Sequence, residues 1–297
     1  MEYCQLDPAT RISRIGFGSM SLKAGNPEAK AIIDAAIDGG INLFDTADLY
    51  EQGANEEQLG LLLKPHRNRV LIATKVGNQW RKDGSGWDWN PTKAYILQAV
   101  EDSLRRLQID TIDLYQLHGG TIQDNIDETI EAFEILRSAG KIRYYGISSI
   151  RPNVIRSYVE KSRISTVMMQ YSALDRRPEE SCLPLLKEHG IPVLARGTVA
   201  SGLLIDKPAK EYLGHPAETV ETVRETIKLI AAKYGLAPGS VAIRFALKNT
   251  AIGSAIVGIR TMHQLEEALT AVREVLPDEV YNELYRQLPR LNYTDHR

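Results

Sequence analysis

Short apolar runs recur along the whole chain, and each is followed by a stretch with helical spacing. The runs are INLFD near residue 41, RVLIATKV near 70, TIDLYQLH near 112, IRYYGISS near 143, STVMMQ near 166, IPVLA near 192 and SAIVG near 255. A run that stays apolar instead of alternating is what a strand buried on both faces requires. Between the runs lie patterns such as PEAKAIIDAAIDGG, opened by Pro and closed by Gly, and PTKAYILQAVEDSLRRL, with apolar residues three and four apart. Strands alternating with helices argue parallel pairing through helical crossovers. A first strand over residues 12–18 brings the number of strands to eight. The stretch from 196 to 253 reads as a polar loop and two helices, and the last helices are TMHQLEEALTAVREVL and DEVYNELYRQL.

Eight such units close into a (β/α)8 TIM barrel of the α/β class, and 297 residues is an ordinary length for one as a single domain over 1–297. The rival is an open doubly wound sheet, which announces a dinucleotide site by G-x-G-x-x-G after its first strand. The first strand here offers GFGSM, without the third glycine, and no Pro/Gly/Ser-rich segment divides the chain. The barrel is therefore the expected architecture.

Composition narrows the partners. The net charge is −2 and no Lys/Arg run is present, so neither nucleic acid nor an anionic membrane surface is expected to bind. The opening MEYCQLDPATRISRIGFG does not read as a secretory signal, and no apolar run approaches the ~18 residues of a membrane span. Cys4 and Cys182 are the only cysteines, too few for a disulfide framework or a zinc site. A reduced, cytoplasmic protein without a metal is the expectation.

In a barrel, all strands present their C-terminal ends to one face, where barrel enzymes place their chemistry. Three strand ends carry ionisable groups: Asp45 after INLF, Lys75 after VLIAT and His118 after IDLYQL. Tyr50 follows Asp45 closely enough to remain over the same opening. A phenol titrates near ~10, so one that donates a proton at neutral pH needs a cation beside it. Lys75 is placed to be that cation, Asp45 to be its counter-ion, and His118 to orient a carbonyl. Any one of these residues alone is more often a salt bridge, a cap or a packed side chain, but their convergence is harder to dismiss. His66, His189, His215, His263 and His296 have no such company. No H-E-x-x-H, G-x-S-x-G or G-x-x-x-x-G-K-[ST] motif offers a competing chemistry.

FDTADLY, ATKVG, DLYQLH, GISS, MMQYS and IVGIRTMHQLEEA, in this order and spacing, resemble the aldo-keto reductases over nearly the whole chain. The resemblance implies carbonyl reduction by NADPH, with Asp45, Tyr50, Lys75 and His118 as a catalytic tetrad and Tyr50 as the general acid. It implies cofactor contacts from Gly18, Ser19 and Met20 on the first strand, from Asp45, and from Ser148 and Gln170 at the carboxamide. Ser149 stands where the family usually has Asn, and Ala268 replaces another Asn. Arg196, in LARGTVASGLL, takes the place of the aromatic residue that stacks on nicotinamide, with Gly197 and Val199 beside it. A cation under the ring opposes the charge that grows as hydride leaves, so its end is expected to reach the pyrophosphate. Gly258, Arg260 and Gln264 match the ribose-phosphate segment and Glu267 the adenine contact, and an Arg beside a phosphate favours NADPH over NADH.

Residues 77–90, GNQWRKDGSGWDWN, hold every tryptophan of the chain and should overhang the mouth. Trp80, Trp87 and Trp89 read equally as a wall for a small-molecule carbonyl substrate and as anchors of a long loop. The pattern names no particular carbonyl, and no heptad or exposed apolar helix specifies an oligomer. An alternative from another class is a cofactor-binding sensor with little turnover.

Overall fold

The computed structural model describes residues 1–273, 276–288 and 290–297. Its centre is a closed barrel of eight parallel strands. In chain order they are β1 (Ile15–Gly18), β2 (Leu43–Asp45), β3 (Leu71–Val76), β4 (Ile112–Leu117), β5 (Ile142–Ser148), β6 (Thr166–Gln170), β7 (Val193–Arg196) and β8 (Ile252–Gly258). Each pairs with its sequence neighbour, and β8 closes on β1 with Gly258 opposite Gly18. Around them lie α1 (Ala29–Asp38), α2 (Ala54–Leu63), α3 (Lys93–Leu107), α4 (Ile126–Ser138), α5 (Pro152–Lys161), α6 (Cys182–Glu188), α7 (Ala217–Tyr234), α8 (Pro238–Lys248), α9 (Met262–Arg273) and α10 (Asp278–Gln287).

Local chemistry sets the helix limits. Thr92 Oγ1 accepts the backbone N–H of Tyr95 at the start of α3, and Asn125 Oδ1 accepts that of Glu128 at the start of α4. Gly235, with φ 65, ends α7 in the left-handed conformation that most side chains avoid. The helices bury their apolar faces against the outside of the barrel in one large core that includes Ile33, Ile72, Val100, Phe133, Ile155 and Phe245.

A second, smaller cluster fills the lumen: Ile12, Leu43, Ala73, Leu114, Met168, Leu194 and Ile256. Ile12 reveals a difference from the sequence expectation. The barrel strand begins at Ile15, whereas Thr10–Ser13 pairs antiparallel with Tyr3–Asp7 in a hairpin beneath the barrel, and Ile12 plugs the lumen from below. Arg14 interrupts the run because its guanidinium donates to the carbonyls of Leu247, Ile252 and Gly253. The floor is laced by polar contacts. Tyr144 Oη bonds the Asp7 carboxylate and lies 2.7 Å from Thr10 Oγ1, while buried Asp113 pairs with Arg67 at 2.8 Å and Arg143 at 3.2 Å.

A second hairpin, Asn78–Trp80 with Trp87–Trp89, occupies the tryptophan segment that the sequence presents as a loop. It rises from the end of β3. Among the described residues, no helix is long and apolar enough to cross a membrane, and no group of His, Cys, Asp or Glu is arranged to hold a metal.

Candidate active site

Strand side chains alternate with period two, so residues beyond the lumen cluster on the same strands also face inward. Two positions on from Leu43, Ala73, Leu114, Met168, Leu194 and Ile256 stand Asp45, Lys75, Gln116, Gln170, Arg196 and Gly258. His118 follows Gln116 by the same step. The apolar lumen therefore ends in a polar layer at the C-terminal mouth.

Within that layer the four sequence-predicted groups meet. Lys75, 1% exposed, donates from Nζ to Asp45 Oδ2 at 2.7 Å, to the Thr46 carbonyl at 2.7 Å and to Tyr50 Oη at 3.3 Å. Burial opposes the lysine charge, but Asp45 and the Tyr50 oxygen outweigh it and hold its pKa above the usual value. Lys75 is thus an ammonium whose donors are all taken up. The Tyr50 ring meets His118 edge to face, with centroids 6.0 Å apart and planes at 84°. Burial, reinforced by the positive fields of Lys75 and Arg196, pushes the His118 pKa down to about 3. A neutral imidazole results, able to donate one N–H to a carbonyl oxygen.

The loop from β2 to α2 carries Tyr50, and Asn55 ties it to the end of β1. This fully buried amide donates to the Ser19 carbonyl at 3.0 Å and the Leu22 carbonyl at 3.2 Å, and accepts from Thr46 Oγ1 at 2.8 Å. Ser19 Oγ lies 2.7 Å from the Asp45 carbonyl and 2.6 Å from Asn55 Oδ1, one hydroxyl hydrogen between two acceptors. Glu56, with 0% exposure, accepts from Thr74 Oγ1 at 2.6 Å and from Arg106 Nε at 2.6 Å. Sequence reasoning passed over Asn55, Glu56 and Arg106. The available signal was that NEEQ, at the start of α2, sets polar residues where a helix leaning on a barrel needs apolar ones.

The residues matched to cofactor contacts fall along the rim. Gly18 sits between Asp45 and Gly258 in register, Met20 is exposed and Ser148 is buried. Ser149 Oγ accepts the Arg151 N–H at 3.2 Å. Arg196 Nη1 donates to Gln170 Oε1 at 3.2 Å, and Gln170 Nε2 to Tyr212 Oη at 3.0 Å, so this guanidinium lies inward on Gln170. Gly197 has φ 70, and a Cβ there would stand 3.3 Å from Gln170 Cγ. Val199 is half-buried behind it. At the far end Arg260 is exposed, its N–H donating to Gln264 Oε1 at 3.0 Å, and half-buried Glu267 faces Gly239 at the start of α8. Ala268 is wholly buried in the core.

Two tryptophans hold the upper hairpin down. Trp80 Nε1 donates to the Leu49 carbonyl at 3.2 Å, next to Tyr50. Trp89 Nε1 donates to Asp124 Oδ1 at 3.0 Å while its ring covers Gly77 and Gly119, where a Cβ would stand 2.6 Å and 3.2 Å away. Trp87, cross-strand from Trp80, is exposed.

A family model described as "Aldo/keto reductase family" matches residues 14–287. An oxidoreductase of Bacillus subtilis, YqkF, is 49% identical over 280 residues, covering 91% of this chain and 90% of that one. The holo form of aldo-keto reductase AKR11C1 from Bacillus halodurans superposes with a TM-score of 0.92 at 44% identity, covering 100% of this chain and 99% of that chain. The NADH-specific methylglyoxal reductase of Escherichia coli is 30% identical over 299 residues, covering 90% and 92%. All three names describe oxidoreductases, and none describes a sensor.

Proposed function

The chain belongs to the aldo/keto reductase family of oxidoreductases, and from that premise we propose that it reduces small aldehydes or ketones to alcohols with NADPH, in the cytoplasm. The observation that carries this reading is the Lys75 ammonium bonded at once to Asp45, the Thr46 carbonyl and Tyr50 Oη.

The residues present fit a nicotinamide cofactor. Asp45 Oδ1 and His118 Nδ1 are buried polar atoms without a hydrogen-bond partner among the described residues. Gly18 and Gly258 leave the rim bare where a Cβ would crowd the Val257 carbonyl and Ser21 Oγ. Gly18, Ser19, Met20, Asp45, Ser148, Gln170, Gly197 and Val199 would hold the nicotinamide half, Arg196 would reach the pyrophosphate, and Gly258, Arg260, Gln264 and Glu267 would hold the adenosine half. When bound, a reduced nicotinamide supplies hydride to the carbonyl carbon.

The side chains handle the proton. Neutral His118 donates its N–H to the carbonyl oxygen and turns that oxygen toward Tyr50. Tyr50 Oη gives its proton to the oxygen as negative charge develops there, and Lys75 stabilises the phenolate left behind. Asp45 keeps Lys75 charged and in place. Trp80, Trp87 and Trp89 border the approach and are the proposed substrate contacts.

Arg260 is the basis for choosing NADPH, because a guanidinium gains more from a ribose phosphate than from a hydroxyl. The E. coli relative named for NADH makes the choice worth measuring. The test follows NADPH consumption with a panel of aliphatic and aromatic aldehydes in the native protein, Tyr50→Phe and Arg260→Ala. Tyr50→Phe should bind NADPH and lose at least ~100-fold in kcat. Arg260→Ala should weaken NADPH by about tenfold and leave NADH unchanged. Turnover retained by Tyr50→Phe would refute the acid assignment, and an unchanged cofactor preference would refute the role of Arg260.

A further inference from the structure

Tyr50 is followed by a left-handed turn. Glu51 has φ 49 and ψ 36, Gln52 has φ 56 and ψ 35, and Gly53 has φ 92 and ψ −13. Residues with side chains rarely enter this region, and two in succession persist only where the surroundings hold them. On one side the turn has little to lean on, because a polar cavity of about 360 Å³ opens there, lined by Asp48, Gln52, Trp80, Tyr95, Asp102 and Arg106.

Arg106, from α3, is what lies against Gly53. A Cβ on Gly53 would stand 2.7 Å from Arg106 Cδ and 2.8 Å from Nε, so the chain passes directly over the side chain. The guanidinium is fixed in turn by Glu56, which accepts from its Nε at 2.6 Å. Glu56 also accepts from Thr74 Oγ1 at 2.6 Å, and Thr74 precedes Lys75 on β3. A continuous set of contacts, Gly53 to Arg106 to Glu56 to Thr74, thus joins the turn behind Tyr50 to the strand that carries Lys75. Its length bears on the 3.3 Å separation of Tyr50 Oη and Lys75 Nζ.

We propose that Arg106, clasped by Glu56, is a positioning residue that sets the Tyr50 to Lys75 contact. The proposal rests on the reading of Tyr50 as general acid. It goes beyond that reading by assigning control of the acid to an ion pair that touches none of the reacting atoms.

Two variants test it. Arg106→Lys keeps a cation on Glu56 but loses the surface beneath Gly53. The double variant Glu56→Gln with Arg106→Met removes the pair without leaving the charge of either partner buried alone. For each, kcat, aldehyde KM, NADPH affinity by fluorescence, the pH profile of kcat and the melting temperature are compared with the native protein. Rates are taken per cofactor-binding site so that lost protein is not read as lost rate. The expected result is about a tenfold or greater fall in kcat, with NADPH affinity within about twofold, because sub-ångström misplacement of a catalytic group costs rate and not binding. The basic limb of the pH profile should move as well.

Native kcat and an unmoved pH profile in both variants, with only the melting temperature lowered, would overturn the proposal and leave Arg106 a structural residue. Tyr50→Phe separates the two levels. If it retains turnover, the acid assignment and this proposal fall together. If it is inactive while both Arg106 variants are native, only the positioning role falls.

Discussion

Replacing Asn55 by Ala should destabilise the protein by about 3 kcal/mol. Three hydrogen bonds belong to this side chain without ambiguity: its amide to the Ser19 and Leu22 carbonyls, and Thr46 Oγ1 to its oxygen. Each contributes roughly 1 kcal/mol net. Full desolvation penalties are not added for the carbonyls, because Ser19 O still accepts from the Leu22 N–H and Leu22 O from Gln58 Nε2. The Ser19 hydroxyl likewise keeps the Asp45 carbonyl. About 3 kcal/mol corresponds to more than a hundredfold in the folding equilibrium, readily seen as a lower urea midpoint at unchanged slope. The same substitution frees the end of β1 from the loop that carries Tyr50, so NADPH affinity should weaken in parallel. A loss below about 1 kcal/mol would show that water replaces the amide and that Asn55 does not fasten these segments.

Two further outcomes follow from the mouth. His118 titrates at about 3 when folded and near ~6.5 when unfolded, so between those pH values only the unfolded chain takes up the proton. Stability from this residue is complete above pH ~6.5 and falls by up to ~1.4 kcal/mol per unit as pH drops. Urea unfolding should therefore show the native protein losing up to about 2 kcal/mol more than His118→Asn between pH 7 and 5, and parallel losses would contradict the buried neutral imidazole. Trp89→Ala should lower stability by about 2–3 kcal/mol, since it removes an aromatic ring from Gly77 and Gly119 together with the bond to Asp124. A melting temperature within a degree or so of native would mean that the hairpin is held elsewhere.

The barrel was legible because its strands are buried on both faces: IDLYQL and TVMMQ leave no doubt about where water is absent. Asp45, Lys75 and His118 stood out for the same reason, as ionisable groups closing apolar runs. The two hairpins did not stand out. Tyr3–Asp7 and Trp87–Trp89 are short and hold no fully buried residue, and their pairing depends on contacts that sequence spacing does not encode. Ile12 therefore read as part of the first strand, although it belongs to the floor. Asn55, Glu56 and Arg106 were hidden because polar residues on a helix normally face solvent, and only the tertiary arrangement shows that Glu56 meets Arg106 while Asn55 turns to Ser19, Leu22 and Thr46. Arg196 was visible as a departure, but its partner Gln170 could not be read from a distance along the chain.

The plugged floor has a consequence for how variants of this chain should be interpreted. Holding and reacting are assigned to opposite ends of the same strands. At the lower end the charged groups Asp7, Asp113, Arg67 and Arg143 are paired, Asp7 with Tyr144, while at the upper end Asp45 Oδ1, Asp48 Oδ1 and His118 Nδ1 have no hydrogen-bond partner among the described residues. A residue's height along its strand is then a first guide to phenotype. Substitutions low on a strand should surface as heat sensitivity with normal turnover per folded molecule, and substitutions high on the same strand as altered turnover in a protein of ordinary or even improved durability.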